Sequence, residues 1–387
     1  MIKKSINKLK VLFFIIFIFS GFFYFYKKYL NNDIIINGYT YGLFNRNCNF
    51  YIAKNVETIF GSYKIKNLFA EKIFNSNALL RMKKIDQGGP CYYFGLAPKF
   101  SRYDHCVGVC KLIEMYGGST KEQLVGVLHD VSHTAFSHVA DFFFTDNEDD
   151  NHSYQDKIHI NYLSNSDINN IISEYGHDIR SFDPDCGSYN MLEQSLPDMC
   201  ADRIEYNLHT ALVYNIYNKE EVNSILKDLR YENEKWFFVN VNSAVKFAKL
   251  PIKFMYEIWN SSDNVVLYDI FVKLLRKGID LDIFKVDDLK KKDDFYIVDR
   301  LNKSKNEEII GLINKCQNIN TIYKVVSEND LFDKFFKIKF RGIDPLVKLN
   351  YKFYRLTELN EEFKNEYENC KNYCKNGIYI KYLSEKV

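Results

Sequence analysis

A mainly α-helical protein, with a small β element ahead of the helices and an α+β lobe after them, is predicted by three observations. From about residue 65, apolar residues recur at helical spacing between glycine and proline stops. Residues 33–53 carry short β-rich runs, DIIINGYTYG and NFYIA, that read as a hairpin or meander. Beyond about residue 220, helical text alternates with strand-like pieces, KWFFVNV, DFYIVD and GIYIKYL.

The chain has 387 residues, long for one ordinary core. It divides into residues 1–32, a main domain at 33–215 and a C-terminal lobe at 216–387. In the first segment, residues 11–26 are uncharged and apolar on every face, with Lys3, Lys4, Lys8 and Lys10 before them and Lys27 and Lys28 after. The run is short of the ~20 residues that cross a bilayer comfortably, although its terminal tyrosines suit an interface and its lysines can snorkel. A cleaved leader would need small residues after the apolar run, and Phe22 to Tyr26 offer none. The expectation is an uncleaved N-terminal membrane helix, with the side of the main domain left open.

In the main domain, residues 66–85 read as one or two helices stopped by Gly88-Gly89-Pro90, and PCYYFGLAPKF as a turn-rich crossing. Residues 104–116 form a helix closed by Gly117-Gly118. Ser119 and Glu122 make a capping box for the next helix, on which His129 and Asp130 sit. Another helix runs through SHVADFFF to an acidic loop, and helices follow near 155–176 and 191–213, with FDPDCGS as the loop between them. The last span would put Asp198 and Asp202 on one helix face. In the lobe, DDLKKKDD reads as a solvated connecting loop.

Charge and cysteine usage exclude some classes. The formal net charge is +2, so nothing suggests a general nucleic-acid binder. The nine cysteines are odd in number and irregular in spacing, which argues against a disulfide framework. The pairs Cys106/Cys110 and Cys370/Cys374 read as small buried thiols on helix faces.

The chemistry-bearing text is concentrated. Six of the eight histidines lie between residues 105 and 159, the densest stretch being HDVSHTAFSH at 129–138. Histidines interleaved with carboxylates suit a divalent cation of intermediate hardness, Mn, Fe or Mg in preference to Zn. Phosphate-ester hydrolysis needs such a cation with open positions, together with a proton donor for the leaving oxygen.

The frame Arg102-x-x-His105, then His129-Asp130-x-x-His133-x-x-Phe136-Ser137-His138, then Asp202-Arg203-x-x-Tyr206 resembles the HD-domain phosphohydrolase superfamily. It is most similar to the deoxynucleoside triphosphate triphosphohydrolase (dGTPase-like) branch and to related uncharacterised bacterial HD proteins. The resemblance spans about residues 35–215 and implies an HD-domain helical core. It implies His105, His129, Asp130 and Asp202 as ligands of one divalent metal ion, and Asp202 is preferred to Asp198 because the D-R-x-x-Y frame follows it. It implies His152 as the acid that protonates the leaving oxygen, and His133 and His138 as phosphate-channel histidines with a catalytic part. It further implies Arg102 and Arg203 at the phosphates, Tyr206 against the sugar and Gln87 on a sugar hydroxyl. His159, His177 and His209 match no family position and are structural or exposed.

Three positions depart from the pattern: Ser153 stands where glutamate is common, Thr210 where aspartate is, and Gly88 where leucine is. They leave the ligand set intact and bear on triphosphate specificity. The expected function is hydrolysis of a deoxynucleoside triphosphate or a related nucleotide phosphate ester. A nucleotide monophosphatase or cyclic-nucleotide phosphodiesterase is an alternative, and so is a non-catalytic, membrane-tethered nucleotide sensor. The expected partners are a nucleotide, a membrane through residues 11–26 and a further copy of the chain in a homo-oligomer, with no nucleic acid.

Overall fold

The computed structural model describes residues 33–36, 39–42, 51–52, 54–144, 154–186 and 189–383. Residues 11–26, expected to form a membrane helix, and His152 lie outside these residues. No described helix is long and apolar enough to cross a membrane.

The described residues form two compact units, one of those up to residue 56 together with 64–72, the other of 57–63 together with those from residue 73 onward. In the first, β1 (Asp33–Ile36), β2 (Tyr39–Gly42) and β3 (Tyr51–Ile52) pair antiparallel in sequence order, the expected meander. Strands β4 (Asn55–Thr58) and β5 (Gly61–Lys64) and helix α1 (Leu68–Phe74) carry the chain between the units.

The second unit is mainly helical. Its first elements are α2 (Asn77–Arg81), capped by Ser76, and a 3-10 turn at Gly89–Phe94. Helices α3 (Arg102–Met115) and α4 (Thr120–Leu128) follow as a hairpin. Gly117 turns the chain at φ +85°, a left-handed conformation that favours glycine, while the N–H groups of Gly117 and Gly118 close on the carbonyls of Glu114 and Ile113. Only half of the expected capping box forms. Ser119 accepts the N–H of Glu122 at 3.1 Å, but the Glu122 carboxylate accepts from Met191 N at 2.9 Å instead. Helix α4 ends at Leu128, so His129 is its C-terminal cap and Asp130 lies just past the helix rather than on it.

Then come α5 (Val139–Phe144), α6 (Tyr154–Ser164) and α7 (Asp167–Glu174), and α8 (Ala201–Val213) after a segment of turns. The expected helix over 191–213 is therefore only its second half. Residues 197 and 198 are held by the C-terminal part of the chain: Pro197 O accepts from Asp344 N, and the Asp198 carboxylate pairs with Arg355 at 2.5 Å. Asp198 thus shares no helix face with Asp202.

Helices α9 (Lys219–Asp228), α10 (Val241–Phe254) and α11 (Ser262–Asp280) continue the layer. DDLKKKDD is not a loop. It supplies most of α12 (Val286–Lys291), with Leu289 buried, and then the cap and first residue of α13 (Asp294–Lys303). DFYIVD is the start of α13 and not a strand: Asp294, Ile297 and Leu301, spaced three and four apart, form its buried face. Helix α14 (Glu307–Gln317) completes the run.

Strands β6 (Leu229–Glu232), β7 (Lys235–Phe238), β10 (Leu346–Leu349) and β11 (Lys352–Arg355) form a sheet in the order β11-β10-β7-β6, with β10 parallel to β7. Strands β8 (Tyr323–Val326), β9 (Lys334–Phe336) and β12 (Ile378–Tyr382) form a second one, in the order β8-β12-β9. KWFFVNV and GIYIKYL thus contribute β7 and β12, as expected. The described cysteines are all free thiols, and both i,i+4 pairs are buried.

Candidate metal centre

Four side chains from three helix ends meet at one point. His105 comes from the first turn of α3, His129 and Asp130 from the end of α4, and Asp202 from the first turn of α8. His105 Nε2 lies 3.3 Å from His129 Nε2, 3.0 Å from Asp202 Oδ1 and 3.6 Å from Asp130 Oδ2. His129 Nε2 lies 3.5 Å from Asp202 Oδ1 and 3.6 Å from Asp130 Oδ1. Ligand atoms bound at about 2.1 Å in an octahedron stand about 3 Å apart along an edge, so this spacing fits a divalent cation.

The hydrogen bonds behind the histidines decide which nitrogen faces the centre. His105 Nδ1 donates to Glu205 Oε2 at 2.5 Å, and His129 Nδ1 donates to Gly126 O at 2.7 Å. Both Nε2 lone pairs are thereby free to bind a cation. Glu205 is 0% exposed, and its other oxygen accepts from His209 Nδ1 at 2.7 Å. Protonation follows the same charge pattern. Burial opposes a charge on His105, but the Glu205 and Asp202 carboxylates outweigh it and raise the ring to about 10. A divalent cation takes the place of such a proton.

Beside these four side chains, Arg102 is buried and fully engaged. Its Nη1 pairs with Asp130 Oδ2, its Nε donates to Ser137 Oγ at 2.8 Å, and its Nη2 meets His138 Nε2 at 3.2 Å. His133 Nε2 stands 3.3 Å from Asp130 Oδ1, with its ring edge-on to His138. Burial and the Arg102 charge pull His133 down to about 3, so it is a neutral imidazole. Arg81 braces the same loop, its Nη2 donating to Val131 O at 2.9 Å and His133 O at 2.6 Å.

Tyr206 lies 6.5 Å from the His105 ring and edge-on to Trp259 at 5.6 Å. Arg203 Nη1 donates to the carbonyls of Gln194 at 2.5 Å and Asp198 at 3.1 Å. Gln87 bonds Phe100 O through its backbone N–H, while its buried Oε1 has no hydrogen-bond partner among the described residues. Glu193 and Cys200 lie within 4.8 Å of Asp202, and burial and the Asp202 charge push Glu193 up to about 8.

Sequence reasoning missed Glu205, His209 and Arg81. The first two carried a signal, since Asp202, Glu205 and His209 fall at i, i+3 and i+7 on one helix. Arg81 carried none.

No protein-family model matches the chain. The uncharacterized protein YdhJ of Bacillus subtilis is 30% identical to it over 329 residues, which cover 85% of this chain and 99% of YdhJ. The chain belongs to the YdhJ family. The metal-dependent phosphohydrolase cns2 of Cordyceps militaris is 26% identical over 174 residues, 45% of this chain and 49% of cns2. Two crystal structures share the fold of this YdhJ relative. The phosphohydrolase BT4208 of Bacteroides thetaiotaomicron superposes with a TM-score of 0.64 at 13% identity, over 86% of this chain and 100% of that one. A hypothetical protein of Aquifex aeolicus superposes at 0.62 and 14% identity, over 86% and 97%. The helical fold and the His129–Asp130 pair agree with an HD-like superfamily.

Proposed function

We propose that the chain is a metal-dependent phosphohydrolase acting on a nucleotide phosphate, with deoxynucleoside triphosphates as the first candidates. The convergence of two outward-braced imidazoles and two carboxylates within 3.0–3.6 Å carries the reading. That cns2 and BT4208 are phosphohydrolases supports it. His105, His129, Asp130 and Asp202 would hold the cation, which when bound supplies Lewis acidity and charge neutralisation to the phosphate. His152 gives the leaving oxygen its proton in this reading. The unpartnered Gln87 Oε1 supports a donor on the ligand, such as a sugar hydroxyl.

A single-phosphate nucleotide is the second reading. The Arg203 donors are turned to backbone carbonyls and Arg102 is spent on Asp130, which leaves less cationic charge for a triphosphate tail. The test is incubation of the protein with a nucleotide panel in Mn²⁺ or Mg²⁺, with chromatography of the products. Inorganic triphosphate as product supports the first reading and orthophosphate the second. Nucleotide binding without turnover of any substrate sinks both in favour of a sensor. Tethering through residues 11–26 is a separate proposal, refuted if the full chain and a chain starting at residue 33 partition identically between membrane and soluble fractions.

A further inference from the structure

The buried carboxylate of Asp294 lies in the stretch that reads from sequence as solvated charge, yet it is 0% exposed and faces the loop that follows the metal ligands. Its Oδ1 accepts the N–H of Phe136 at 2.6 Å and its Oδ2 accepts the N–H of Asp86 at 2.9 Å. Phe136 and the next residue, Ser137, have φ of +62° and +53°. Outside a β-hairpin turn, where such pairs are ordinary, two consecutive left-handed residues other than glycine are strained and persist where their surroundings hold them in place.

The same two backbone stretches grip Arg102. Ser137 Oγ accepts from Arg102 Nε at 2.8 Å and donates to the Asp86 carbonyl. Arg102 in turn pairs with the ligand Asp130 and meets His138. One carboxylate therefore ties down both walls of the socket that aims Arg102 at a metal ligand. The neighbouring residues reinforce the hold: Leu289 O accepts from Ala135 N at 2.8 Å, and Lys292 O from Arg81 Nη1 at 3.0 Å. The Tyr93 ring sits edge-on to both Phe136 and Phe295, at 5.8 Å from each.

We propose that Asp294 is a positioning residue of the metal centre: it holds the 136–137 turn in the one conformation that locks Arg102 onto Asp130, so that cation affinity depends on a segment of the C-terminal half. The inference rests on the cation reading of the site but not on the identity of the substrate. Asparagine at 294 keeps the volume and supplies one acceptor, but it must present an NH₂ group to one of the two backbone donors, so the turn is released on one side. Asp293 is the internal control. It caps the same helix by accepting from Tyr296 N at 3.0 Å and makes no bond to the 136–137 turn.

The experiment is Mn²⁺ titration of the full chain, followed by electron paramagnetic resonance and calorimetry, for wild type and for Asp294→Asn, Asp293→Asn and Ser137→Ala. Asp294→Asn is expected to weaken Mn²⁺ binding about tenfold or more, as loss of an outer contact to a metal ligand does, and to alter the Mn²⁺ spectrum. Ser137→Ala, which cuts the same link one bond further on, is expected to do likewise, and Asp293→Asn to stay within about twofold of wild type. Wild-type affinity in Asp294→Asn, or an equal loss in Asp293→Asn, overturns the proposal. If Asp294→Asn does not fold, Ser137→Ala decides, and wild-type affinity there overturns it. A wild type that binds Mn²⁺ but hydrolyses no nucleotide removes the phosphohydrolase reading while the comparison of affinities still stands. A wild type that binds no Mn²⁺ removes both.

Discussion

Glu205 shows how a fully buried residue sets the chemistry of a histidine placed to hold a cation. Its two oxygens accept from His105 and His209, so it fixes which His105 nitrogen carries the proton. Glu205→Gln keeps the size but turns an NH₂ toward one of the two rings, and the ring that loses its acceptor is free to take the other tautomer. The expected result is a loss of metal affinity of roughly 10–100-fold with the fold retained. Competition against a chelator of known affinity measures it, and an unchanged affinity would refute the orienting role. His159 makes a different prediction. It is buried, its Nδ1 bonds Ser132 Oγ at 2.9 Å, and its Nε2 has no partner among the described residues. A second proton would bring an unanswered N–H into the interior, and burial accordingly lowers the ring from 6.5 to about 4. Because the folded value is depressed, the unfolded chain binds the proton first as the solution is acidified. The stability held by the neutral ring is complete above pH 6.5 and is lost as the pH falls toward 4, by roughly 3 kcal/mol at most. The gap in urea midpoint between wild type and His159→Gln should narrow between pH 7 and 4.5; parallel curves would assign the acid sensitivity elsewhere.

At the scale of elements, α3 and α8 approach so closely that a glycine is required between them. A Cβ on Gly108 would stand 2.2 Å from Glu205 Oε1 and 2.8 Å from its Cδ. The Glu205 carboxylate is pinned by two histidines and cannot swing away as a free side chain would. Alanine gains about 1 kcal/mol in helix propensity over glycine, but overpacking costs about 1–3 kcal/mol. Gly108→Ala should therefore lower the melting temperature, and the extra stability conferred by Mn²⁺ should shrink because Glu205 is pushed off His105. A higher melting temperature with an undiminished Mn²⁺ effect would show that the helices can separate at no cost. Elements near the centre were legible where local pattern and tertiary role agree. The meeting of His105, His129, Asp130 and Asp202 could be read because their frames place each of them at a helix end. Asp294 could not, because a run of Asp and Lys has the composition of a solvated loop, and only the packing of Leu289, Ile297 and Leu301 turns it into two helices. DFYIVD misleads in the same way: its aromatic and β-branched residues suit a strand, while burial follows the spacing of a helix. The helix expected from residue 191 starts at Ala201, since a contact made more than 150 positions away in sequence decides how the chain runs at Asp198.

For the whole molecule, the family resemblance ends near residue 215 but the bonds that support the centre do not. Trp236 Nε1 donates to Met191 O at 3.0 Å, Tyr116 OH to Leu226 O at 2.9 Å, and Tyr268 OH to Gly88 O at 3.2 Å. Arg355 pairs with Asp198, and Asp294 receives the N–H groups of residues 86 and 136. Each of these links a residue before 215 to one after it, and most are buried or half-buried, so cutting the chain there leaves polar groups without partners on both faces. An unsatisfied buried group costs about 1–3 kcal/mol, against a total domain stability of about 5–15 kcal/mol. The phenylalanines at 237, 238, 247, 254 and 271 are also fully buried in the intact chain, and their removal exposes the apolar surface they cover. A chain of residues 33–215, although it carries His105, His129, Asp130 and Asp202, is therefore expected to lack a cooperative unfolding transition and to bind Mn²⁺ far more weakly than a chain of residues 33–387. Urea titration and calorimetry on the two chains measure both quantities. A single sharp transition and full Mn²⁺ affinity in the shorter chain would mean that the helices around the centre are self-sufficient, and that Asp294 and its neighbours only decorate a site already complete without them.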